Sequence, residues 1–187
     1  NFGDGPEWEY IKQGRSGGEL IWINNEYDMP HNFMVMLART GDRRYYDYMK
    51  AAVEHWYDVD LCHYSGQPYR KGLLYTHSVD HVSGQPVPSH QWVEGFLDYY
   101  HLTGSPYGLE AARSIGQGLL KLMELPIYHA TATVEPREIG WAMRTFMALY
   151  RETWEQKWLD ACEPIVKVYL KWAEELGTWT TPYPDNY

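Results

Sequence analysis

From about Met29 onward, apolar residues recur at three- and four-residue spacing, the period of an amphipathic helix with one face against a core. Three pairs of helices are predicted: near 29–39 and 43–59, near 89–102 and 106–124, and near 136–152 and 155–175. A short turn joins each pair, at Arg39 to Asp42, Leu102 to Pro106 and Glu152 to Glu155. Thr-Gly in the first two turns is a strong helix stop, because glycine takes the left-handed cap conformation. Aligning the turns places Tyr46-Asp47, Leu109-Glu110 and Leu159-Asp160 at matching positions of the second helices. The pattern is a degenerate repeat of αα-hairpins. Stacked hairpins make a solenoid or, when closed, a toroid. The expected fold class is therefore all-α, with repeated αα-hairpins forming part of an (α/α)6 toroid.

Two segments break the helical period. Residues 1–26 hold five glycines and read as a short irregular or β lead-in, with one strand near 20–23, or as the tail of a preceding β-rich domain. The toroid domain is expected to occupy 27–187 and to be incomplete. The Gly/Pro-rich segment 61–88 is too long for a plain connection; loops of that length are usually functional or carry a hairpin.

A proline stands at the head of each predicted first helix, in Pro30-His31, Pro88-Ser89-His90 and Pro136-Arg137. Proline suits a first turn because its missing N–H is not needed there. Asp28 and Ser89 are placed to cap two of these helices. Helix N-termini favour anions and disfavour the charged form of histidine. If the three starts meet at one mouth, His31, His90, Arg137 and the long loop meet there too.

Charge narrows the partners. The net charge of −9 argues against nucleic acid and anionic membrane surfaces. No apolar run approaches membrane-spanning length. The 17 Tyr and 9 Trp mostly suit a packed core, though exposed rings can stack on sugars. Cys62 and Cys162 form no disulfide framework. The chain opens at Asn1 without methionine, which reads as a fragment or processed form.

The reactive side chains concentrate in one stretch. Six of the eight histidines lie between His31 and His90. His77 and His90 are candidate bases, and Tyr64 and Tyr75 candidate acids. Glu94, four residues after His90, shares a helix face with it if the helix begins at 89. Asn25, Tyr27, Asp28, His31, His63, His81, Trp92 and Arg137 are candidate substrate-binding residues. Arginine at a helix N-terminus invites an acidic partner, either a ligand or its neighbours Glu135 and Glu138. His77 and His81 have a spacing that can ligate a metal with His63 or His90, but the run carries no HExxH and no paired cysteines, and no metal site is assigned. The oxygen-rich run from Asn24 to Asp28 is a candidate for Ca²⁺, a turn and N-cap being the plainer account.

Several of these pieces resemble a known family. They are Asn24-Asn25-Glu26-Tyr27-Asp28 with Pro30-His31, the Arg39-Thr40-Gly41-Asp42 turn, His63-Tyr64, the loop with His77, and Ser89-His90-Gln91-Trp92-Val93-Glu94-Gly95 followed by Asp98-Tyr99-Tyr100 and Leu102-Thr103-Gly104. Over roughly residues 20–125 they resemble the C-terminal α/α-toroid domain of YetA-like proteins, relatives of the rhamnogalacturonan exolyases of polysaccharide lyase family 26. The resemblance implies a secreted or periplasmic carbohydrate-active enzyme acting on pectin-type rhamnogalacturonan. It also implies β-rich domains before this one; a half-toroid would expose an apolar edge, so contact with the rest of the polypeptide, including those domains and remaining toroid helices, or with a second copy is expected. The function expected is β-elimination on an acidic oligo- or polysaccharide. The alternatives are an unsaturated-uronyl glycoside hydrolase on the same toroid, using Asp28, Asp80 and Glu94, and a non-catalytic sugar-binding scaffold.

Overall fold

The computed structural model describes residues 25–76, 85–128 and 136–179. The strand expected near 20–23, and His77, Asp80 and His81, lie outside the described residues. Helix makes up 73% of those described, with no strand among them, so the all-α class stands. Six α-helices follow in order: α1 (Met29–Thr40), α2 (Arg44–His55), α3 (Glu94–Thr103), α4 (Pro106–Met123), α5 (Pro136–Thr153) and α6 (Gln156–Leu176). A π-helical turn, Trp56–Asp60, continues α2, and 3-10 turns occupy Pro88–His90 and Pro126–Tyr128.

Each helix is held by one apolar stripe. In α4 the buried residues Gly108, Ala111, Ala112, Ile115, Gly116, Leu119, Leu122 and Met123 fall at helical spacing on one face. Phe96 from α3, Phe146 from α5 and Trp158 from α6 are fully buried in the same core, and burying each such side chain contributes roughly 1.5–3 kcal/mol. Gly116 makes room for this: a Cβ there would lie 2.3 Å from Leu149 Cδ1 and 2.8 Å from Trp158.

Consecutive helices pack as pairs, α1 on α2, α3 on α4 and α5 on α6. The joining turns share one geometry. The hydroxyls of Thr40, Thr103 and Thr153 donate to the carbonyls of Met36, Tyr99 and Leu149, and accept from the N–H groups of Asp42, Ser105 and Glu155. The residue between is left-handed each time: Gly41 (φ 67°), Gly104 (φ 71°) and Trp154 (φ 56°). Threonine thus stops the helix and starts the turn. Trp154 takes a conformation that disfavours a Cβ, which is why a Thr-Gly search finds two turns rather than three.

The second pair starts later than its sequence suggests. Residues 89–93 are not α-helical; α3 begins at Glu94 after the 3-10 turn. The cause is Gln91. Its carboxamide accepts from the Leu74 N–H at 2.8 Å and donates to the carbonyls of Leu74 and Val87 at 3.1 and 3.0 Å. These bonds splice the two ends of the long loop and hold the backbone at 91 out of the helix. The loop stem itself carries one antiparallel bridge, Leu61 to Leu74, and lies on α4, where Gly118 admits Leu73.

A candidate active-site network at the helix starts

The turns close one end of the helix pairs, so α1, α3 and α5 all begin at the other. There Gly95 lets α3 approach α1: a Cβ on it would lie 2.5 Å from Pro30 Cβ and 2.6 Å from both Asp28 Oδ1 and the His31 amide nitrogen. Gly95→Ala is expected to cost about 1–3 kcal/mol by overpacking, read as a lower urea midpoint at unchanged m-value. An unshifted midpoint would mean the two helix starts do not need this closeness.

The contact assembles a line of polar groups. Glu138 on α5 accepts the Ser89 hydroxyl at 2.8 Å and the Ser89 N–H at 3.1 Å. Ser89 Oγ lies 2.8 Å from His90 Nδ1, and His90 Nε2 lies 2.9 Å from Glu26 Oε2. The other oxygen of Glu26 accepts from Arg137 at 2.8 Å. His90 is buried, whereas the side chains of Glu26 and Arg137 are 29% and 40% exposed, so the line runs from the interior to the surface.

A second set of pairs borders it. His31 Nδ1 is 2.6 Å from Asp98 Oδ2, and Arg144 Nε donates to Glu94 Oε1 at 2.6 Å. The Arg144 guanidinium lies 4.8 Å from the ring centre of Trp141. Trp141 meets buried Trp92 edge-on at 4.9 Å, and Tyr27 packs on Trp92 from outside at 6.2 Å. The Trp92 indole N–H donates to the Asn25 carbonyl at 2.8 Å. Asn25, left-handed at φ 61°, donates its amide to the Tyr75 carbonyl at 2.5 Å.

Asp28 is an N-cap, accepting the His31 N–H at 3.1 Å and, across the helix contact, the Gly95 N–H at 3.1 Å. Burial, then the nearby charge of Glu94, push its carboxyl up to about 6 against the opposing pull of those two N–H donors. Its proton is therefore held more tightly in the folded state than in the unfolded one. The resulting penalty is absent below about 3.8 and complete above about 6, so stability is expected to fall as pH rises through that window, by on the order of 3 kcal/mol. Unfolding free energies across pH 4–7 test this against Asp28→Asn; a parallel pair of curves would refute it.

Several expectations are corrected. Ser89 does not cap α3; it binds Glu138. His90 and Glu94 do not share a helix face, because His90 precedes the helix, and they take Glu26 and Arg144 as separate partners. His31 is not kept neutral by the α1 start: its hydrogen bond to Asp98 raises its pKa, with burial opposing. Tyr64 is 88% exposed and stands apart from the network. Tyr75 is buried with its hydroxyl on Cys62 Sγ at 3.0 Å; burial and that bond push it up to about 12. His63 is exposed and bonds the Tyr57 carbonyl at 2.5 Å, away from His90. Trp92 is 2% exposed and forms a floor, not a platform for a sugar. In the oxygen-rich run, the carboxylates of Glu26 and Asp28 are engaged by the donors above, and Asn25 Oδ1 is buried without a partner among the described residues. Both cysteines are free thiols.

Arg137 and His90 do meet, through Glu26. Sequence reasoning named Glu26 only within the candidate Ca²⁺ run and gave no role to Asp98, Trp141 or Arg144. A signal was present: Arg137, Trp141 and Arg144 follow at four and three residues on α5, and Glu94 and Asp98 at four on α3, so each set shares a helix face.

No protein-family model matches the chain, and no solved structure matches it. Over 111 residues it is 24% identical to the N5-carboxyaminoimidazole ribonucleotide mutase of Aquifex aeolicus (strain VF5), a stretch covering 59% of this chain and 62% of that protein. The chain thus spans less than two thirds of the length of the curated relative it matches.

Proposed function

We propose that this chain is the helical domain of a polysaccharide lyase that cleaves a uronic-acid-containing, rhamnogalacturonan-like glycan by β-elimination. The observation that carries the reading is Glu26, a carboxylate seated between His90 at 2.9 Å and Arg137 at 2.8 Å. A uronate carboxylate that displaces Glu26 would offer two oxygens to the same two donors. Holding it there stabilises the enolate-like charge that develops when the proton α to the carboxylate leaves. The C5–H pair becomes the C4=C5 bond, the C4–O bond breaks, and the departing oxygen takes a proton.

His77, outside the described residues, is the proposed base. Tyr27 and His31 border the clamp and are the proposed donors to the leaving oxygen. The shared turn geometry, and the pairs His31–Asp98, Glu94–Arg144 and His101–Glu152 that link α1 to α3 and α3 to α5, support reading the three pairs as part of an (α/α)6 toroid with first helices inside. On α6, Leu159, Val166, Leu170 and Leu176 are exposed, as an incomplete toroid would leave them; the proposed cover is further helices of the same polypeptide or a second copy. A secreted or periplasmic location is proposed from the resemblance alone, and Ca²⁺ as an accessory ion from the oxygen-rich run Asn24 to Asp28.

The buried Asp28, its carboxyl raised by burial and the nearby charge of Glu94, favours a second reading, a hydrolase, since a carboxylic acid of raised pKa serves as the general acid of that chemistry. One assay separates the two. Ultraviolet absorbance of an unsaturated product growing on rhamnogalacturonan supports the lyase. Reducing sugar released without absorbance, and lost in Asp28→Asn and Glu94→Gln, overturns it in favour of the hydrolase. Silence in both channels moves the protein to the binding scaffold.

A further inference from the structure

We infer that Glu138 is a positioning residue which, through Ser89, makes both ring nitrogens of His90 carry protons, so that the histidine meets a carboxylate as a cation. A hydroxyl has one hydrogen to give. Ser89 gives it to Glu138 Oε1 at 2.8 Å, while the Ser89 N–H holds Glu138 Oε2 at 3.1 Å and fixes that arrangement. Ser89 Oγ can then only accept from His90 Nδ1, 2.8 Å away, so Nδ1 carries a proton. At the other nitrogen, Glu26 Oε2 accepts at 2.9 Å, and Arg137 on Oε1 at 2.8 Å keeps that carboxylate ionised. Nε2 therefore carries the second proton.

Among the described residues, the groups facing the imidazole are Glu26 from the turn before α1, Ser89 from its own 3-10 turn, and Glu138 and Arg137 from α5. Among the described residues these are two carboxylates and one arginine, a setting in which a buried imidazolium is paired on both sides of its ring. This reverses the sequence expectation of a neutral base at a helix start. The 3-10 turn has three residues and no α-helix dipole to oppose protonation. The assignment concerns protons on His90 and holds whatever the substrate is. If the lyase reading is right, His90 serves as carboxylate clamp and proton reservoir, which leaves abstraction to another group.

The test is nitrogen-15 NMR of the histidine rings, His90 identified by its absence in His90→Gln. In the unaltered protein at neutral pH both His90 nitrogens are expected to show protonated-type shifts. In Glu138→Gln the carboxamide donates to Ser89 Oγ, whose hydroxyl turns to Nδ1. Nδ1 should then acquire an unprotonated-type shift, and the titration midpoint should fall by about one unit or more. Glu26→Gln should lower the midpoint while leaving Nδ1 protonated, which a general loosening of the site would not do. A single-proton His90 in the unaltered protein overturns the inference without any variant. So does a folded Glu138→Gln protein with unchanged ring shifts. Absence of eliminase activity bears on the lyase reading and leaves these ring shifts untouched.

Discussion

A protein with alanine at position 90 is expected to lose about 10²–10³-fold in kcat/KM on uronate polymer, the usual effect of removing one donor from a developing oxyanion. Arg137→Ala should lose a comparable factor. The double variant should lose less than the product of the two, because both side chains act on one carboxylate and residues that act as a unit are not additive. The fold should persist in His90→Ala, since Arg137 still neutralises Glu26 from outside and Ser89 keeps its bonds to Glu138. Initial rates of unsaturated product against substrate concentration, with unfolding curves for each variant, provide the measurement. Rates near those of the unaltered protein in folded His90→Ala would remove the clamp from the chemistry.

Trp92→Ala is expected to cost about 3–5 kcal/mol in urea unfolding, a large part of the 5–15 kcal/mol that typically holds a domain. Trp92 is 2% exposed, lies edge-on to Trp141 at 4.9 Å and fixes the Asn25 carbonyl at 2.8 Å. Its loss opens a cavity beneath both polar sets. Trp92→Phe keeps most of the ring and gives up the indole hydrogen bond, so it should cost a fraction as much. Equal losses in the two variants would mean that the hydrogen bond to the 25–28 turn, not volume, sets the stability there.

The helices were legible because apolar period is written locally. The pairing of helices followed from turn residues, with Trp154 as the disguised third case. The starting point of α3 was not legible. Pro88 and Ser89 carry every local sign of a helix start, and only the Gln91 side chain, bonded to a residue seventeen positions away, holds that stretch in another conformation. The candidate site failed in the same manner. Proline followed by histidine or arginine at three helix starts predicted where chemistry gathers, and His90 and Arg137 are joined there. The joining group is Glu26, 64 positions from His90 and 111 from Arg137, a pairing no local pattern encodes. Tyr64 and Tyr75 were drawn in by neighbourhood in the sequence, but the loop stem on α4 carries one into solvent and the other into the core.

The threonine turns also offer a handle. Both native thiols are buried, and burial pushes Cys162 up to about 11, so little of it is the thiolate that reacts with electrophiles. Arg43 is exposed in the first of the turns, at the end away from the histidine line. A cysteine introduced there would be the group a maleimide reaches first. Tethered through it, the protein would stand on a sensor surface with Glu26 and Arg137 facing the bulk, so that glycans passing over the chip meet the clamp and not the anchor.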